Sequence, residues 1–127
     1  MWERHHAWIL QAVARSGPRG TLRSVISNAD AINMTVPTRE ELERAVQRLQ
    51  AAGLVKTYGT IPRATRAGRR IVRESRPGWG ESIGSVTARV ESLLLEQVPY
   101  PARPSDWALS PDEWEAACND YRGGSAP

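Results

Sequence analysis

The chain has 127 residues, 40% of them hydrophobic and 24% charged, which is room for one compact domain of ordinary globular composition and too little for two full ones. Its single cysteine, Cys118, excludes disulfide scaffolding, CxxC redox chemistry and cysteine-based zinc or iron–sulfur ligation, and points to a reducing, cytoplasmic setting. The net charge of +3 is unevenly spread: residues 1–76 carry 14 Lys+Arg against 6 Asp+Glu, a net of +8, and residues 77–127 carry 3 against 8, a net of −5. Such a split points either to a polyanionic partner for the first half or to complementarity between the halves.

The longest unbroken apolar run is residues 7–10, four residues. That is far below the roughly 20 that span a bilayer, so no membrane anchor or targeting segment is expected. A first amphipathic helix over 3–15 sets Trp8, Ile9, Ala12 and Val13 at helical spacing, and Ser16, Gly17 and Pro18 stop it. Thr21 caps a second helix whose stripe Leu22, Val25, Ile26, Ala29 and Ile32 runs out near Asn33. A short turn over 34–37 follows, because the residue before Pro37 is pushed out of the helical region. Thr38 and Glu41 then form a capping box that opens a third helix with Leu42, Ala45, Val46, Leu49 and Ala52 on one face. Gly53 closes it in the left-handed conformation, with Leu54 folding back.

A strand over 54–58, a turn over 59–62 and a brief return strand over 63–65 read as a hairpin. Thr65 caps a fourth helix over 66–73. The stretch 75–80 is the candidate boundary between a domain over 1–76 and a helical extension over 77–122. In that extension Ile83, Val86, Val90, Leu93 and Leu94 line one side of a fifth helix ending at Val98 and Pro99, a seam that either packs on the domain or forms a dimer interface. A proline-marked stretch over 99–109 leads to a sixth helix, where Ser110 and Glu113 form a second capping box behind Pro111. Trp114, Ala117, Cys118 and Tyr121 make its apolar face, and 123–127 is a frayed tail.

The fold class expected is therefore mainly α with a small β-hairpin. The run 22–33, the turn to Thr38, the segment 41–55 with its pattern E-L-x-x-A-x-x-x-L-x-x-A-G-L-V, and the T-x-x-G-R of Thr65 to Arg69 resemble a winged helix-turn-helix domain of bacterial regulators, over about residues 2–75. The wing is short, and Ala64 stands where this pattern usually has a larger apolar residue. The resemblance implies double-stranded DNA as partner, with the third helix in the major groove, the wing along the backbone, and transcriptional regulation as the role. On this chain Arg44 and Gln47 would read base edges and Thr38 and Arg39 would lie near phosphate. Arg63, Arg66, Arg69 and Arg70 would anchor the backbone, in a stretch over 63–76 that carries six arginines against Glu74. Two i,i+4 ion pairs, Glu40 with Arg44 and Arg39 with Glu43, would offset the acidic residues of the third helix. In a winged-helix regulator a homodimer through the fifth helix would match a two-fold DNA site.

Two alternatives compete. The arginines could pack against Glu91, Glu96, Asp112, Glu113 and Glu115 of the acidic half. The domain could also serve as a protein-interaction module, docking a partner on the outer face of the third helix or on the tryptophan-rich segment with Trp107 and Trp114. The preferred role for the five tryptophans is core filling. His5 and His6, adjacent on a helix, diverge by about 100° and do not face one metal together. No nucleotide-binding, Walker or HExxH motif occurs. Neither an enzyme nor a cofactor is expected.

Overall fold

The computed structural model describes residues 1–76, 78, 80 and 82–123, with Ile83 described by its backbone alone. Eight elements follow one another: helices α1 (Arg4–Ser16), α2 (Leu22–Asn33) and α3 (Arg39–Ala51), strands β1 (Val55–Tyr58) and β2 (Ile61–Ala64), then helices α4 (Arg66–Glu74), α5 (Ile83–Gln97) and α6 (Pro111–Gly123). The architecture is mainly helical with one two-stranded antiparallel sheet. No helix among the described residues is long and apolar enough to cross a membrane.

The ends of the elements sit where their chemistry puts them. Thr21, Thr38 and Thr65 each accept a hydrogen bond from a first-turn backbone N–H. At Thr38 the Glu41 carboxylate returns the bond, accepting from the Thr38 N–H at 2.8 Å. At the other end of α3 the Leu54 N–H reaches the Leu49 carbonyl and the Gly53 N–H reaches Gln50, with Gly53 at φ +78°, a Schellman closure. That closure turns the chain into the hairpin, and α4 then crosses so close to the corner that a Cβ on Gly68 would collide with the Leu54 carbonyl oxygen.

The hairpin differs from expectation in its bounds. Its turn holds only Gly59 and Thr60, with Gly59 at φ +63°, and Ile61 and Pro62 already belong to β2, opposite Tyr58 and Thr57. Proline is tolerated because the pair after the turn-flanking one makes no cross-strand backbone bonds, so the missing N–H costs nothing there.

One core spans both halves of the chain. Helix α1 lies at its centre and is buried on every side from His6 to Val13, not along one stripe. Helices α2, α3 and α4 cover part of it and α5 covers the rest. Val86, Val90 and Leu94 are buried, Leu93 is half-buried against the same core, and the Thr87 hydroxyl donates to Gln11 Oε1 of α1 at 2.7 Å. The seam weighed above as a dimer interface is thus spent within the chain, and the side chain of Ile83 lies outside the described residues. Trp2 and Trp8 are buried, each indole N–H donating to a carbonyl, of Val98 and Ala29 respectively. Helix α6 packs on α2, where the Tyr121 hydroxyl donates to Asp30 at 2.6 Å and Arg23 meets Asp120 at 3.9 Å. The boundary expected over 75–80 includes Pro77 and Trp79, which lie outside the described residues, as do 124–127 of the expected tail.

Candidate nucleic-acid interface

The outer face of α3 is only partly open: Glu40, Arg44 and Ala51 are exposed, while Glu43 and Gln47 are half-buried. The proline-marked segment 99–109 crosses it as a strap, fastened side chain to backbone along its length. The Gln47 side-chain amide donates to the Trp107 carbonyl at 2.7 Å, and the Gln47 backbone carbonyl accepts from the Ser105 N–H. The Ser105 hydroxyl donates to Gln50, whose amide continues to Thr57 of β1. Arg39 donates to the Leu109 carbonyl at 2.9 Å while Glu43 accepts from the Leu109 N–H at 2.8 Å, and Arg39 and Glu43 pair with each other at 3.3 Å. Arg48 reaches the Pro101 carbonyl and lies over the Tyr100 ring. Trp107 is buried, its indole N–H donating to Gly59 in the hairpin turn, so the strap ties α3 to the sheet.

Of the residues expected to read DNA from α3, Arg39 and Gln47 therefore hold the strap. Thr38 caps the helix, and Arg44 is exposed beside a groove of about 420 Å³ shared with His5, Arg48, Tyr100 and Pro104. The ion pair of Arg39 with Glu43 forms; Glu40 pairs with Arg39 at 3.2 Å, not with Arg44. Trp107, weighed as a docking residue, is an anchor of the fold, and Trp114 is half-buried against the core.

The second group of expected contacts lies elsewhere, on the hairpin and α4. Arg66, Arg69, Arg70, Arg73 and Arg76 are all exposed. Arg63 is half-buried, its guanidinium 4.9 Å from the Tyr58 ring centroid and its Nε buried without a hydrogen-bond partner. Arg70 pairs with Glu74 at 4.0 Å, and Arg69 donates to the Ala64 carbonyl at 2.9 Å. Arg63, Arg66, Arg69, Arg73 and Arg76 form no ion pair among the described residues. Glu91, Glu96, Asp112, Glu113 and Glu115 pair with none of them: Glu113 serves the Ser110 cap, and α6 is seated on α2.

Arg15, in the last turn of α1, joins this group. It shares a cleft of about 260 Å³ with Arg69, Arg73 and Arg76, over a floor of Ala14 and Val72. Sequence reasoning missed it because Arg15 stands far from the others along the chain, and only the packing of α1 on α4 brings them together. A second, narrower groove holds Arg63 and Arg69 beside Gly17 and Pro18.

The titratable groups that shift lie in the core or on α6. Burial, with His5 and Arg48 nearby, holds His6 well below its usual value, at about 4. Burial pushes the Cys118 thiol up, and the hydrogen bond to Asp30 raises Tyr121. No group of three or more His, Cys, Asp or Glu is placed to hold a metal ion among the described residues. Compared with known proteins, the chain matches no protein-family model, no curated protein and no solved structure.

Proposed function

We propose that this chain binds double-stranded DNA, as a regulator of the winged-helix kind its sequence resembles, and that it does so through the arginine face of the hairpin and α4. The observation that carries the proposal is that Arg63, Arg66, Arg69, Arg73 and Arg76 stand together with no carboxylate partner among the described residues, while the acidic helix α6 is seated elsewhere. A solvated helix face usually interleaves its charges; an excess of guanidinium groups left unneutralised suits phosphate oxygens, which they meet with two parallel hydrogen bonds. The order of three helices, hairpin and helix supports the winged-helix assignment. The contact surface, however, shifts away from α3, whose Arg39 and Gln47 are committed to the strap.

Fluorescence anisotropy on duplex DNA from the genomic region around its own coding sequence tests this. Binding at low salt should weaken by about one unit of log-log slope per phosphate contact as salt rises. Replacing Arg66 and Arg70 by serine should weaken it several-fold on every duplex tested. No binding even at low salt would refute the proposal.

The commitment of Arg39 and Gln47 to the strap, which takes two DNA-facing side chains from α3, favours a second reading, a protein-interaction module without DNA that docks on the arginine face. Its sign would be a partner retained after nuclease treatment and lost when the same arginines are replaced.

A further inference from the structure

We infer that the cleft between the last turn of α1 and the exposed side of α4 is a seat for a backbone phosphate, held by Arg15, Arg69, Arg73 and Arg76; this rests on the DNA-binding reading above and names its central contact. Four arginines line one cleft of about 260 Å³, Arg15 from α1, Arg69 and Arg73 from α4 and Arg76 two residues beyond it. That volume equals about nine waters at liquid density, enough for a phosphate and part of its hydration shell. The floor is apolar, Ala14 and Val72, so the polar groups presented to an occupant are nearly all cationic.

Bringing four like charges together costs free energy unless something neutralises them. Three arginines outside the cleft have a neutraliser built in: Arg39 has Glu40 and Glu43, Arg70 has Glu74, and Arg23 has Asp120. Around this cleft no carboxylate plays that part among the described residues, which leaves the role to an anion from outside. The ends of α1 and α4 both face this region, and helix C-termini disfavour anions, but each is worth roughly half a charge against four whole ones.

The seat also has a continuation. The narrower groove shares Ala14 and Arg69 with it and carries the guanidinium line to Arg63 on the hairpin. The Arg63 Nε is the one buried side-chain polar atom without a hydrogen-bond partner among the described residues. A line of cations running from the hairpin to the end of α4 fits a strand of successive phosphates better than one compact anion.

The test compares two double variants that remove the same charge. Arg15→Ser with Arg73→Ser empties one side of the cleft from each helix; Arg103→Ser with Arg122→Ser removes two exposed charges elsewhere. All four side chains are exposed, so both variants should fold, which circular dichroism checks. On a mixed-sequence duplex, the cleft variant should lose at least tenfold in affinity at low salt and about one unit of log-log salt slope, and the control much less. Equal losses in the two variants, or a wild-type slope in the cleft variant, would overturn the seat while leaving DNA binding intact. Failure of the wild-type chain to bind the duplex at all would remove both.

Discussion

His6 is the residue at which this fold depends most visibly on pH. It lies on the first turn of α1, 3% exposed, and its Nδ1 accepts the Glu3 backbone N–H at 3.0 Å, a bond that only the neutral ring can make. Its edge also meets the rings of Trp2 and Tyr100. Because burial lowers its value from 6.5 to about 4, the unfolded chain binds a proton over that interval and the folded chain does not. Stability is therefore full above pH 6.5 and falls as the pH drops toward 4, by about 2 kcal/mol between pH 7 and pH 5. Urea denaturation at the two pH values should show that loss. In His6→Gln, whose side-chain oxygen can accept the same N–H, the pH-dependent loss should shrink by most of that amount. The sequence placed His6 on a helix but gave no sign of its burial, since that depends on Trp2 and on the strap residue Tyr100.

At the scale of elements, local chemistry was legible and packing was not. Thr38, Glu41, Gly53 and Leu54 announce both ends of α3 because a capping box and a Schellman closure are written within a few residues. Ser110 and Pro111 announce the start of α6 in the same way. The strand pairing of Ile61 and Pro62 was hidden because proline reads as a breaker, and its tolerance depends on which rung of the ladder it occupies. The strap was hidden altogether: a segment without periodicity reads as a connection, and nothing local says that its backbone will cross α3. Trp107 is what fixes it. Trp107→Ala should cost about 3 to 5 kcal/mol in denaturant unfolding, as for other buried large aromatics. Trp107→Phe, which keeps the ring but leaves the Gly59 carbonyl without its donor, should cost about 1 to 3 kcal/mol.

For the whole molecule, the opening charge asymmetry acquires a direction. The basic and acidic halves share one hydrophobic core, with α5 laid on α1, yet their charges do not meet at α4: the arginines there look outward and the acidic α6 covers α2. The expected arginine cluster was readable from its density between Arg63 and Arg76, whereas Arg15 and the occupation of α3 depend on tertiary packing. The central claim is that the arginine face, not the strapped face of α3, meets the polyanion. Titration of the isotope-labelled protein with duplex DNA, followed by nuclear magnetic resonance, tests it most directly. Resonance shifts are expected at Arg15, Arg63, Arg66, Arg69 and Arg73, with the Trp107 indole N–H unmoved. Shifts concentrated on Thr38, Arg44 and Gln47, with the Trp107 signal displaced, would contradict it.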